Sequence, residues 1–309
     1  MQAVAACIGR YARPGQTVVA GFSGGLDSTV LLHAASCLVK DADLSLSALH
    51  VHHGLSANAD MWASSCTHVC EQMDVPLTVL RVDVPACSSK GIEAAARRVR
   101  HKALAGHPSD WILLGHHADD QAETVLHNLL RGAGVLGAAA MPESRGRVLR
   151  PLLGLPRTVL LAYARAHRLV WIEDESNADR RYTRNFLRHQ ILPLVTSRFP
   201  KAGEQLAAAA FRFSEAGSLL ADLASLDLHG SAPEFPLCLK RFRELSDTRA
   251  KNLLRAMLIW HHAQPPDERR LNEFVRQLRT AGNDRHPRID LAQYTLWCEA
   301  GHLHFKNLD

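Results

Sequence analysis

Two stretches of this chain combine residue types that could do chemistry. The first is Ser23-Gly24-Gly25-Leu26-Asp27-Ser28. Its paired glycines remove the Cβ atoms that would block close backbone approach. The residues that follow open an apolar helix, whose free N–H groups and positive dipole end favour phosphate. No lysine follows at the spacing of a GxxxxGK[ST] loop, so kinase-type transfer is disfavoured. Asp27 offers carboxylate oxygen to a hard cation such as Mg²⁺. The second stretch is Gly115-His116-His117-Ala118-Asp119-Asp120-Gln121-Ala122-Glu123. Asp119 and Glu123 are four apart and Asp120 and Glu123 three apart, so on a helix all three acids present toward one side. The adjacent histidines lack zinc-ligand spacing, and one or two of the acids could simply cap the helix.

The elements that must position these residues alternate. Strands are predicted at residues 17–22, 44–51, 76–82 and 111–115, with helices at 26–39, 58–73, 91–105 and 119–131. That alternation predicts an α/β fold, a doubly wound parallel sheet. In the order 3-2-1-4-5, strands one and four are neighbours at the switch point, where ligands bind beyond the carboxyl ends. The loops after Phe22 and Gly115 are therefore expected to converge. A Gly/Ala/Arg-rich connection over 132–155, helices at 157–168, 181–197 and 203–228, and a mixed C-terminal part follow. The division expected is a catalytic domain over 1–205 and a mainly helical domain over 206–309.

Composition narrows the class. A chain of 309 residues is long enough for two cores, and 47% hydrophobic with 22% charged residues is ordinary for a globular protein rather than a disordered one. The formal charge of +5 is compatible with a polyanionic partner without requiring one. Neither a leader-like N-terminus nor a membrane-spanning apolar run is evident, so a cytoplasmic protein without membrane contact is expected. Seven cysteines, an odd number with no CxxC, point to buried thiols rather than a disulfide framework or a reactive pair.

The hexapeptide resembles the pyrophosphate loop of the ATP pyrophosphatase families, which cleave ATP between the first and second phosphates and adenylate an oxygen. Residues 115–141, GHHADDQAETVLHNLLRGAGVLGAAAM, resemble more specifically the tRNA(Ile)-lysidine synthetase family. His50-Val51-His52-His53-Gly54-Leu55, Glu93-Ala94-Ala95-Ala96-Arg97, Arg150-Pro151-Leu152-Leu153, Asp174-Glu175-Ser176-Asn177 and Arg184-Asn185-Phe186-Leu187-Arg188-His189 agree in order, over about residues 17–200. Two departures stand out: Ser56 occupies a position where arginine is common, and the chain ends at Asp309, short of the longer members.

The resemblance implies an adenine nucleotide alpha hydrolase-like fold and a ligase. ATP adenylates the carbon-2 oxygen of the wobble cytidine of tRNA(Ile) with a CAU anticodon, and free L-lysine displaces AMP. It implies ATP contacts from Ser23, Gly24, Gly25, Leu26, Asp27, Ser28, His52, Arg97 and Gly115, with Mg²⁺ on Asp27. Lysine reacts only as a neutral amine, yet its ordinary pKa is ~10.4, so a group must bind the ammonium and take its proton. Asp120 and Glu123 match the family's lysine positions, and Asp119 is a third candidate. Arg180, Arg184 and Arg188 recur at intervals of four and, with Asn185, are expected to meet tRNA. A homodimer is among the assemblies the resemblance allows.

Overall fold

The computed structural model describes residues 1–85, 92–173, 183–281 and 286–308. It divides into two compact units, Met1–Ser214 and Glu215–Asp309. In chain order the first contains α1 (Gln2–Tyr11), β1 (Thr17–Gly21), α2 (Leu26–Val39), β2 (Ser45–His52), α3 (Ala59–Gln72), β3 (Leu77–Arg81), α4 (Ile92–Ala105), β4 (Trp111–Leu113) and α5 (Ala118–Leu130). It continues through α6 (Val135–Ala138), β5 (Ser144–Arg145), β6 (Val148–Leu149), α7 (Arg157–Ala166), α8 (Thr183–Phe186) and α9 (Leu192–Arg198) into α10 (Ala202–Asp227). The division between the units falls within α10.

The sheet order is β3-β2-β1-β4-β6-β5. The first five strands in that order are parallel, and β5 closes the edge antiparallel to β6. β1 lies between β2 and β4, with Ala20 opposite both Ala48 and Leu113. Val18, Val19 and Ala20 are buried in succession because both sheet faces are covered, as a parallel sheet requires. Leu31 and Leu32 of α2 are fully buried. Each such leucine contributes about 1.5–3 kcal/mol relative to exposure, which anchors α2 and with it the loop at its N-terminus.

Three features differ from the pattern expected of the sequence. α1 buries Val4, Cys7 and Ile8, an i, i+3, i+4 stripe that marks a short amphipathic helix. The region 132–155 holds the β5–β6 edge hairpin, whose two-residue strands are too short to show any periodicity. The single helix expected over 181–197 is interrupted: α8 passes into a π-helical turn, Leu187–Ile191, before α9. Pro193 lacks an N–H and its ring crowds the carbonyl four residues back. The turn preceding it widens, and the Leu192 N–H reaches the Leu187 carbonyl.

The second unit contains β7 (Leu237–Cys238), α11 (Leu239–Glu244), α12 (Asp247–Trp260), α13 (Glu268–Thr280), β8 (Arg288–Asp290), β9 (Tyr294–Glu299) and β10 (His302–Asn307). Its antiparallel sheet, β7-β10-β9-β8, adds to the helices expected there. Tyr294, Leu296 and Cys298 alternate inward, and Ala300 and Gly301 turn the hairpin with φ of 47° and 75°. No helix among the described residues is long and apolar enough to cross a membrane.

Candidate active site

The loop after β1 is held by its own hydroxyls. Ser23 N–H donates to Ser28 Oγ at 3.2 Å, Ser28 Oγ donates to the Gly25 carbonyl at 3.0 Å, and Thr29 Oγ1 donates to the same carbonyl at 3.0 Å. Gly25 is the N-cap of α2 and carries no side chain to satisfy the first-turn N–H groups, which therefore face the cleft as an anion site. Gly24 has φ +81°, and a Cβ there would meet Ile172 Cδ1 at 2.8 Å and Cys66 Sγ at 2.9 Å. The Ile172 N–H donates to the Gly24 carbonyl at 2.9 Å, closing the loop from outside.

The loop after β4 converges on it. A Cβ on Gly115 would lie 3.0 Å from the Asp27 carbonyl carbon and oxygen, so only glycine permits this approach without a shift. His117 caps α5 with a buried ring: Nδ1 accepts from Asp119 N–H at 3.2 Å, while His117 N–H donates to Asp120 Oδ2 at 3.1 Å. Its Nε2 lies 3.5 Å from Asp27 Oδ2 and 3.4 Å from Asp120 Oδ2, joining the phosphate loop to the acid cluster. Burial pulls the His117 pKa down, but the hydrogen bond to Asp27 and the charges of Asp120, Asp27 and Asp119 outweigh it and leave it raised. This bridging role was missed in the sequence, although an acid three residues after a helix-starting polar residue is the capping-box signal.

Around one cleft of about 620 Å³ stand Ser23, Gly25, Leu26, Asp27, Ser28, His52, Gly115, His116, Asp120 and Arg188. Asp27 Oδ1 and His116 Nδ1 are buried with no hydrogen-bond partner among the described residues. Burial, countered by Asp120 and reinforced by Arg150, Arg97 and Arg100, takes His116 down to about 3, so it is neutral at ordinary pH. Arg97 lies on α4, from which Arg100, His101 and Leu104 line the cleft. His52 Nε2 is 3.2 Å from Asp60 Oδ1, which also pairs with Arg81.

The acids of α5 are already engaged. Arg188 Nε donates to Glu123 Oε1 at 2.5 Å, and its Nη2 donates to Glu123 Oε2 at 3.0 Å and to Asp120 Oδ1 at 2.7 Å. Burial raises the Glu123 carboxyl above the ordinary range, although Arg188 opposes it. Asp119 stays at the rim, its carboxylate nearly half exposed. Arg184, one turn before Arg188, donates from Nη2 to Thr124 Oγ1 at 2.8 Å, and Asn185 is half-buried beside it. Arg180 and residues 174–177 lie outside the described residues.

The PP-loop domain family matches residues 2–195. The chain belongs to the PP-loop family. A second model, the TilS substrate binding domain, matches residues 237–304. The tRNA(Ile)-lysidine synthase of Aromatoleum aromaticum is 49% identical over 270 residues, covering 86% of this chain and 63% of that protein. The enzyme of the same name from Alkalilimnicola ehrlichii is 45% identical over 280 residues, covering 89% and 63%. The chain thus spans somewhat less than two thirds of the length of these relatives. Among solved structures, the U34-tRNA thiolase NcsA of Methanococcus maripaludis shares the fold, with a TM-score of 0.59 at 18% identity over 69% of this chain and 77% of that one.

Proposed function

We propose that this PP-loop chain forms lysidine on tRNA(Ile) with a CAU anticodon, in the cytoplasm, from ATP and free L-lysine. The observation that carries the reading is a cleft that brings the phosphate loop to Asp120 and Arg188, with the buried Glu123 joined to them through Arg188, in a chain whose relatives bear that enzyme's name. The carbon-2 oxygen of the cytidine attacks the α-phosphorus of ATP and pyrophosphate leaves. The lysine ε-nitrogen then attacks carbon 2, the bond from carbon 2 to oxygen breaks, and AMP departs.

Each group in the site suits a part of that sequence. Ser23, Gly24, Gly25, Leu26 and Ser28 hold the phosphates, with Gly115 keeping the two loops close. His52 borders the nucleotide, and Arg97 adds positive potential. Asp27 Oδ1, without a hydrogen-bond partner among the described residues, fits a hard cation and would hold Mg²⁺, which when bound neutralises charge on the phosphates. Asp120 and Glu123 bind the lysine ammonium, and one of them, or Asp119, takes its proton. A carboxyl raised by burial, as at Glu123, is a better proton acceptor than an ordinary one. Arg180, Arg184, Asn185 and Arg188 are candidates for tRNA contact, and a homodimer is compatible with the reading.

Incubation with ATP, lysine and isoleucine or methionine transcripts carrying CAU, followed by nucleoside analysis, tests it. Lysidine and lysine-dependent AMP release are expected with the isoleucine transcript alone. No lysidine with either transcript would refute the proposal.

A further inference from the structure

Arg188 is aimed at the same two acids that the proposed reaction reserves for lysine. Its fork takes both oxygens of Glu123 and one of Asp120, while the remaining Asp120 oxygen accepts the His117 N–H. A planar guanidinium matched to a carboxylate in this way leaves no room for a second cation on the same oxygens. The Glu123 side chain is only 3% exposed. Stripping a buried carboxylate of its partner is strongly unfavourable unless a cation or a proton takes the partner's place, so while Glu123 is ionised the pocket favours one cation or another. Arg188 also belongs to the π-helical turn Leu187–Ile191, and such widened turns are frequent at functional sites.

We infer, on the strength of the lysidine reading, that Arg188 is an internal occupant of the ammonium pocket and that L-lysine enters by exchange for it. The pocket then never stands empty and anionic. Lysine binds against a competitor that is part of the chain, and its apparent affinity falls by the fraction of molecules in which Arg188 has withdrawn. A pocket that accepts one guanidinium should also accept a free one once Arg188 is replaced. Arg188 is half-buried on the wall of the same cleft, so its head group can withdraw without leaving the site.

The test measures L-lysine binding calorimetrically to wild-type protein and to Arg188→Gln, which keeps a hydrogen-bond donor but no charge. The variant should bind lysine at least about tenfold more tightly, the scale of one charge-assisted hydrogen bond removed from the competitor. Millimolar guanidinium ion should compete with lysine in the variant and hardly in the wild type. Arg188→Lys keeps a cation with a weaker hold and guards against a variant that fails to fold; it should tighten lysine binding to a smaller degree. Unchanged or weaker lysine binding in the folded variants would overturn the exchange, since an arginine that merely positions the acids predicts weakening. Lysidine formation by the wild type is measured alongside. If it is absent, the functional reading fails; if it is present while lysine binding weakens in the variants, the exchange alone fails.

Discussion

The phosphate loop and the acid patch of α5 meet at one cleft, which Asp120 and Arg188 line, yet they are built by opposite means. Ser23–Ser28 is shaped by neighbours in sequence: two glycines, a helix start and hydroxyl bonds spanning two to five residues. The acid patch is completed from afar, by an arginine 65 residues from Glu123 and 68 from Asp120. A ligand site made of backbone can be read from local chain geometry. One made of side-chain charge depends on which distant group the fold delivers.

The largest effect is expected where the two regions meet. Asp27→Ala should reduce pyrophosphate release to background while leaving tRNA affinity nearly unchanged, because Asp27 stands at the phosphate end of the cleft, which Arg184 does not line. Adenylation at the wild-type rate, with tRNA binding lost, would reverse that assignment.

Next come Asp120→Asn and Glu123→Gln. Each removes a charge-assisted contact worth about 1.5–3 kcal/mol, so lysine use should fall about 10- to 150-fold while ATP use changes little. The adenylated intermediate should then accumulate. A fall in ATP affinity with normal lysine dependence would mean that these acids serve the nucleotide instead.

Much of this was legible in the sequence. The parallel sheet followed from alternating apolar runs, because burial on both faces imposes that pattern, and the order 3-2-1-4 with the convergence of the loops after Phe22 and Gly115 followed from the doubly wound topology expected of such a sheet. The acids on one side of α5 followed from helical spacing. What escaped was non-local or too short. The β5–β6 hairpin has two residues per strand, the π turn comes from Pro193 acting on the helix before it, and the pairing of Arg188 with Glu123 has no trace in spacing. Arg184 and Arg188 were expected as one stripe, but the fold sends Arg188 to the acids and Arg184 to Thr124. In the second unit the Ala300-Gly301 turn between alternating strands was a readable hairpin signal masked by the surrounding helices.

Gly24→Ala tests the locally built half. The new Cβ meets Ile172 Cδ1 at 2.8 Å and Cys66 Sγ at 2.9 Å in a backbone with φ +81°, so a loss of about 1–3 kcal/mol is expected by denaturant titration. Adding Ile172→Val removes one of the two contacts and should restore part of that loss. Full restoration would show that the backbone conformation carries no cost.

His116 gives a pH-dependent comparison. Its folded pKa of about 3 lies below the ordinary 6.5, so between these values the unfolded chain binds more protons than the folded one. Stability is therefore fully present above pH 6.5 and falls as the solution is acidified, by at most about 1.4 kcal/mol per pH unit from this group. His116→Gln should flatten the stability profile between pH 6.5 and 5, above the range in which ordinary carboxyls titrate. An unchanged slope would mean that His116 does not carry this linkage.

The smallest effect separates the two arginines. The side-chain hydrogen bond of Arg184 goes to the Thr124 hydroxyl, a neutral contact that a phosphate can replace, whereas Arg188 already neutralises two carboxylates. Arg184→Ala should lower the magnitude of the log–log salt slope of tRNA binding by about 0.7–0.9, a change of about threefold in relative affinity between 50 and 200 mM salt. Without lysine present, adding Arg188→Ala should change that slope little further. Discrimination between isoleucine and methionine transcripts should persist, since phosphate contacts position a nucleic acid without reading its sequence. Binding of both transcripts across a salt series makes the distinction. A combined fall of roughly 1.5 would mean that Arg188 leaves the acids for a phosphate when tRNA arrives, and the two arginines would then act as the single stripe that their spacing suggests.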